Sequence, residues 1–407
     1  MASLPSRLKQ ARPTPEPDAA ELPKKEPTYL PNEILLEILS HIPRQPSSQP
    51  TLASLCLLNW QWYNATVGRL YEKPHLQGSN FDPFMRTVCP SVIAHVKKSD
   101  LAGLVQYLDL GSIVHQSSKS RTGRLLSRVK ESLVEFVAPQ ASFGINCFAG
   151  LSKCANLRSL NLALVSGAIS LYDLARVVKQ LPKLEVMYFP RSSTEKEWFK
   201  ANMFEWPALV ELHLGGGLHP QFIYSFGDAT TGQSFMPSTL TTLSLTHCPR
   251  LDDAAVGALL GWVGPNLKSL TIEDMRQLSM SALDGILVVC SNLTFLRISL
   301  DYITIDFLPS ETSTWTHPLE HLELSTTNSS THQRDMFFQP ADLSAALDSF
   351  PNLRILRVSK QAGWHGDELA DDLEFLSSEL GEAHKRRADA DPSKRKEIWG
   401  VWTMNDS

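Results

Sequence analysis

Leu240-Thr-Thr-Leu-Ser-Leu245, followed 27 residues on by Leu267-Lys-Ser-Leu-Thr-Ile272 and after 26 more by Leu293-Thr-Phe-Leu-Arg-Ile298, decides how this chain folds. A lone L-x-x-L-x-L hexamer is common by chance, but a train of them is not. Toward the N-terminus the pattern starts again at Leu209, Leu184, Leu157, Leu133 and Val105, and toward the C-terminus at Leu319 and Leu353. Successive starts are 28, 24, 27, 25, 31, 27, 26, 26 and 34 residues apart. A near-constant period in this range marks a repeat architecture. Within each hexamer the fourth and sixth side chains of an extended segment share one face, and the third and fifth share the other. No unit buries its own apolar face, so the array is stable only as a stack.

The period and the leucine positions fit the leucine-rich repeat, one short strand and one return segment per unit. The fold class expected is therefore α/β, a solenoid of parallel strands with helical return segments. The first two hexamers are degenerate, so the count lies between eight and ten over residues 101–362. Ser170–Val178 carries apolar residues at 171, 174, 177 and 178, one helical face. Asp252–Leu260 and Ser279–Leu287 predict two more helices, with Asp or Ser near their starts as caps. Cys154 and Cys290 each precede a hexamer by three residues and Cys248 follows one by three, the register of the cysteine-containing repeat subtype. Buried thiols account for them.

Composition excludes several function classes. A hydrophobic content of 43% is that of a globular chain, and a net charge of −5 gives no reason to expect nucleic-acid binding. No run approaches 18 apolar residues and the N-terminus lacks a signal-like segment, so neither a membrane span nor secretion is expected. N-x-S/T sequons such as those at Asn64, Asn292 and Asn328 then carry no glycosylation signal. None of the six cysteines forms C-x-x-C, which speaks against a zinc module.

Ahead of the repeats, residues 1–27 hold six prolines and read as disordered. Order is expected from Tyr29-Leu-Pro31, with Pro31 in the first helical turn. Ile34, Leu35, Ile38, Leu39 and Ile42 form one stripe. The Pro- and Ser-rich stretch 43–50 ends that helix. A second helix follows from Thr51 with Leu52, Leu55, Cys56 and Leu58, and a third carries Trp62, Thr66 and Leu70. Three short helices make a small core, and the surplus apolar surface calls for a permanent partner.

Leu30-Pro31-x-Glu33-Ile34-Leu35 with Ile38-Leu39, then Leu52-Ala-Ser-Leu55-Cys-Leu-Leu58 and Trp62, resembles an F-box. The following Tyr71-Glu-Lys-Pro74-His-Leu and Asn80-Phe81 is similar to fungal members. The match covers residues 28–75, with 76–100 as a connector. The linker 43–50 is longer than usual, and Trp60 stands where the family has a small polar or basic residue. With the repeats behind it, the chain resembles F-box/leucine-rich-repeat proteins. That resemblance implies a non-catalytic substrate receptor of a Skp–cullin–F-box ubiquitin ligase, working in the cytoplasm and/or nucleus without cofactor or metal. The F-box would dock the Skp adaptor, and through it cullin and RING subunits, by Leu30, Pro31, Ile34, Leu35, Leu55, Leu58 and Trp62. The repeats would hold a protein substrate for ubiquitination and proteasomal degradation. The alternative is a repeat scaffold that binds the adaptor without a ligase role.

The third and fifth places of the hexamers face outward. Ten strands at ~4.8 Å spacing give a face on the order of 43 Å long, suited to a protein rather than a metabolite. Phe295, Arg297, Arg354 and Arg357 are the substrate-binding candidates, because aromatic and guanidinium groups dominate binding hot spots. Arginines there would favour an acidic or phosphorylated segment, although Glu320 and Glu323 lie between them. Two long return segments, after Leu214 and Leu324, carry Phe222, Tyr224, Phe226, Phe235, Met336, Phe337 and Phe338. They either touch a substrate or cover the edge of the solenoid.

Enzyme motifs are missing: there is no G-x-S-x-G, G-x-x-x-x-G-K-[ST] or H-E-x-x-H. Gly215-Gly-Gly217 reads as a flexible bend, because Pro220 stands where a phosphate loop needs a third glycine. His213 with His219, and His317 with His321, have metal-pair spacing but no third ligand. The tail, 363–407, drops the repeat. Asp367–Glu382 holds seven acids and no base around Leu369, Leu373, Phe375, Leu376 and Leu380, a helix suited to capping the solenoid. Lys385-Arg-Arg387 and Lys394-Arg-Lys396 form either a solvated basic tail or a nuclear signal. Where Trp399 and Trp402 pack is left open.

Overall fold

The computed structural model describes residues 30–90, 100–113, 119–194, 205–308, 315–326, 338–366 and 368–404. The expected disordered lead and Tyr29 lie outside them, as do Met336, Phe337 and the sequon at Asn328. Two compact units meet between Thr66 and Val67. That division falls inside a helix, ahead of the boundary at 75 expected from sequence.

The first unit is built from α1 (Asn32–Ser40), α2 (Gln49–Cys56) and the start of α3 (Trp60–Glu72). Pro31 is the N-cap residue rather than part of the first turn. Its carbonyl accepts from the backbone N–H groups of Ile34 (3.1 Å) and Leu35 (3.2 Å). Its extended ψ of 148° sets where the helix begins. Leu35 and Leu39, one turn apart, are buried, as are Leu52 of α2 and Thr66 of α3. Gln61 Nε2 donates to the Leu30 carbonyl (2.6 Å) and to Asn32 Oδ1 (3.0 Å), which ties α3 to the entry of α1.

The second unit is organised by a parallel sheet of eleven strands among the described residues, in chain order. They are β1 (Tyr107–Asp109), β2 (Glu135–Val137), β3 (Ser159–Asn161), β4 (Val186–Tyr188), β5 (Glu211–Gly215) and β6 (Thr242–Thr246). Then come β7 (Ser269–Glu273), β8 (Phe295–Ser299), β9 (His321–Ser325), β10 (Ile355–Ser359) and β11 (Gly400–Met404). The first ten fall on the ten hexamers. Fourth-place residues stand in register from Leu212 through Leu243, Leu270, Leu296 and Leu322 to Leu356, all buried. First- and sixth-place residues are buried with them, in one continuous core. An unbroken ladder of this kind is how units too small to bury a face alone become stable.

Capping and lateral bonds fix the return segments. Ser170 Oγ accepts from the Asp173 N–H at the head of the helix Leu171–Val178, and Asp252 Oδ1 from the Ala255 N–H at the head of Asp253–Val263. Asn156 and Asn292 donate their side-chain amides to the carbonyls of Glu131 and Pro265 in the preceding repeats. The helix expected over Ser279–Leu287 is instead a run of turns with a short helix, Ile286–Val289. Side bonds outcompete it. The Asp253 carboxylate takes the N–H and hydroxyl of Ser279, and the Asp284 carboxylate takes those of Thr304.

Gly216, His247 and Asp274, each two residues past a sixth-place residue, all have positive φ (81°, 54° and 49°). Their backbones connect laterally, with Gly216 N–H donating to His247 O and His247 N–H to Glu273 O. Histidine and aspartate tolerate this left-handed conformation better than most residues. Gly216 and Gly217 form a bend, and lateral backbone bonds hold it. A Cβ on Gly216 would lie 2.0 Å from the Arg191 carbonyl oxygen, so only glycine fits this close approach.

The tail forms the helix Ala370–Ala390, which continues through the first basic cluster. Leu376 and Leu380 join the repeat core while Phe375 stays exposed. The helix does not form the end of the sheet. β11 pairs in parallel with β10 and places Val401 level with Leu356 and Trp402 level with Arg357. Trp399 stacks on His384 (5.5 Å between ring centroids). Arg387 donates to the Pro351 carbonyl, so that basic cluster is partly engaged.

Candidate functional site

Two surfaces are candidates for partner binding. The first belongs to the helical module. Ile34 and Ile38, four residues apart on α1, are 47% and 40% exposed, and Leu36 is exposed as well. After α2, Leu57 and Leu58 are exposed, and Trp60 is 74% exposed while stacked on Tyr63 at 5.2 Å. Soluble surfaces seldom carry so many large apolar side chains in about 30 residues without a partner. Of the residues singled out in the sequence, Pro31, Ile34 and Leu58 are exposed, and Leu30, Leu55 and Trp62 are half-buried. Leu35 is fully buried and serves the module's own core. Leu36, Leu57 and Trp60 were not among the expected adaptor contacts, because the helical stripe alone does not reveal what leaves a three-helix core uncovered.

The second surface is the outer face of the sheet. Third- and fifth-place side chains stand there, mostly half-buried. Over β8 to β10 the fifth place reads Arg297, Glu323, Arg357. Arg297 Nε donates to Glu273 Oε1 at 2.8 Å, and its Nη1 lies 3.4 Å from Glu323 Oε2. Arg357 Nη1 donates to the other oxygen of Glu323 at 3.0 Å. Glu323 itself is 5% exposed, and His321 Nε2 lies 3.1 Å from its Oε1. The neighbouring His321, together with both guanidiniums, holds the Glu323 carboxyl below its ordinary value against the opposing effect of burial. Phe295 meets His321 edge to face at 4.9 Å.

These pairings revise the expectation of arginines free for an anionic ligand. Two carboxylates and two guanidiniums form one alternating, internally neutralised row. Arg354 does not belong to it. It precedes β10 and pairs with Glu320 (3.1 Å), so the four candidate residues divide into Phe295, Arg297 and Arg357 on the outer face and Arg354 apart. The strand alternation supplied that signal, since Arg354 occupies a second place.

Further along the face, Tyr188 and His213 stack in parallel at 3.9 Å. Burial depresses the imidazole pKa of His213, and likewise that of His317, whose Nε2 meets the Cys290 carbonyl at 3.1 Å. His219 Nδ1 accepts from the Gln221 N–H at a helix start. Burial pushes the Cys154, Cys248 and Cys290 thiols up to about 12, which leaves them protonated and unreactive. Phe222, Phe226 and Phe338 of the long return segments are buried in the repeat core. Among the described residues, no helix is long and apolar enough to cross a membrane.

A small helical module with exposed apolar side chains, followed in the chain by a sheet of parallel strands with helical returns, defines an α/β repeat protein. Comparison places it more closely. The chain is 31% identical over 330 residues to F-box protein YDR306C of Saccharomyces cerevisiae, a match covering 79% of this chain and 66% of that protein. It is 29% identical over 326 residues to Protein pof5 of Schizosaccharomyces pombe, covering 79% and 88%. By these matches the chain is similar to F-box proteins, and its repeats carry the leucine-rich-repeat pattern. No family model matches it. Among solved structures it is similar to the leucine-rich repeat-containing protein LegL7 of Legionella pneumophila, at a TM-score of 0.39 and 12% identity, covering 74% of this chain and 90% of that one. It is also similar to a chain of the yeast Rad7 and Elc1 complex, at 0.29 and 14%, covering 84% and 95%.

Proposed function

We propose that this protein is a substrate-recognition subunit of a Skp–cullin–F-box ubiquitin ligase, acting in the cytoplasm and/or nucleus. The helical module docks the Skp adaptor, which bridges to cullin and RING subunits. The outer face of the sheet holds a protein substrate for ubiquitination and degradation. Ubiquitin transfer itself belongs to the other subunits. The observation that carries this reading is the set of exposed apolar side chains on the module, Ile34, Ile38, Leu57, Leu58 and Trp60. Water penalises that surface, and a permanent partner removes the penalty. Pro31, with Leu30, Leu55 and Trp62 at the margins, extends the same contact.

Co-expression of the full chain with a Skp-type adaptor tests this. Ile34→Asp with Leu58→Asp places two charges in the proposed contact without touching a buried residue. Each buried anchor in such an interface is worth at least about 1–2 kcal/mol, so adaptor affinity should fall on the order of a hundredfold or more. Melting of the variant should match that of the parent. Undiminished adaptor binding by the double variant rejects the reading. An adaptor complex that never recruits cullin leaves a scaffold without a ligase role.

A further inference from the structure

We infer that the C-terminal strand completes the substrate-binding end of the sheet. There the rings of Phe295, His321 and Trp402 and the aliphatic Ile355 form one band that takes an extended, uncharged segment bearing aromatic or aliphatic side chains. This inference rests on the substrate-receptor reading above.

Position comes first. In a parallel ladder, residues in register point to the same face. Trp402 is level with Arg357, Glu323 and Arg297, so it stands on the outer face, while Val401 packs against the core. The third-place row runs Phe295, His321, Ile355 and then Gly400. Gly400 has no side chain to continue that row. A Cβ there would meet the six-membered ring of Trp402 at 3.5 Å. The indole therefore lies across the vacant place and continues the row beyond Ile355. Phe295, His321, Ile355 and Trp402 remain half-buried, with surface left to cover.

Charge decides the class of ligand. Beside the band runs the row Arg297, Glu323 and Arg357, with Glu273 two residues past the place level with Arg297, two acids and two bases. Arg297 is held by Glu273 and Glu323, and Arg357 by Glu323. A carboxylate or phosphate seated on Arg297 would have to displace Glu273 or the largely buried Glu323, and a lysine seated on Glu323 would have to displace an arginine. Either exchange leaves a half-buried charge without its partner, which is costly. An uncharged apolar segment incurs no such cost and covers the remaining ring surface. Four strands span about 14 Å, the length of roughly four extended residues. Two apolar side chains spaced within that length would occupy the band.

The test uses the full chain in complex with a Skp-type adaptor, immobilised and panned with a phage library of random dodecapeptides, alongside the same library phosphorylated on serine. Selected peptides should carry two aromatic or aliphatic residues within about four positions and no excess of acid. Their affinity should fall at least about tenfold in Trp402→Ala and in Phe295→Ala, as expected for aromatic anchors. It should change less than about twofold between roughly 0.05 and 0.5 M salt. Phe295 lies on β8, independent of the tail, so the test stands even if Trp402→Ala loosens β11. An acidic, phosphorylated or basic consensus overturns the inference. So does indifference to both substitutions, or no enrichment over the unselected library. Failure to form the adaptor complex would instead strike at the substrate-receptor reading itself.

Discussion

Leu243→Ala and Thr242→Ala, adjacent in β6, should differ in cost several-fold. Leu243 is fully buried, with Leu212 level on one side and Leu270 on the other. Truncation to Ala removes three carbons, about 2.4 kcal/mol at roughly 0.8 kcal/mol per methylene. The backbone ladder holds the flanking strands at their ~4.8 Å spacing. The cavity therefore cannot close, which brings the total to about 3–5 kcal/mol. Thr242 stands half-buried on the outer face, and its truncation should cost within about 0.5 kcal/mol. Urea unfolding of the full chain, followed by far-UV circular dichroism, measures both. With m near 3 kcal/mol/M, the upper end for small proteins, the Leu243→Ala midpoint should drop on the order of 1 M. Equal losses for the two variants would refute the assignment of faces, because a slip of one residue exchanges them.

Two further outcomes follow from the same packing. Gly216→Ala should cost about 3 kcal/mol or more in the same melts, since its Cβ would collide with the Arg191 carbonyl at positive φ, while Gly217→Ala meets nothing within 4 Å and should be nearly neutral. Stability should fall as pH drops below the ordinary histidine value of 6.5, because burial lowers the folded-state pKa of His317 and the unfolded chain binds the proton first. That contribution is fully present above the unfolded value and is lost toward the folded one. His317→Gln should flatten the slope of stability between about pH 7 and 5, and an unchanged slope would show that His317 is not held neutral.

Much of the fold was legible in the chain. The ten hexamers became ten strands because a leucine at a first, fourth or sixth place has only one face to bury, and its neighbours a period away share the need. Ser170 and Asp252 cap helices as their positions suggest. The Ser279–Leu287 helix was misread because its periodicity says nothing of Asp253 and Asp284, which draw Ser279 and Thr304 into lateral bonds. The second glycine of Gly215–Gly217 looked like freedom, yet it is a contact with Arg191 that lies outside the local pattern.

The binding surfaces divide in the same way. The repeat period, the apolar stripe of α1 and the assignment of third and fifth places to the outer face came from sequence alone, since each depends on local geometry of fixed period. Only the tertiary structure decided that Leu35 is buried while Ile34, Leu58 and Trp60 are not, because three short helices can distribute their apolar residues in several ways. It alone brought Glu273 and Glu323 onto Arg297 and Arg357, and set Trp402 level with Arg357. Those pairings join residues 24 to 45 positions apart, and the distance between them is set by the register of stacked strands, which no single strand contains.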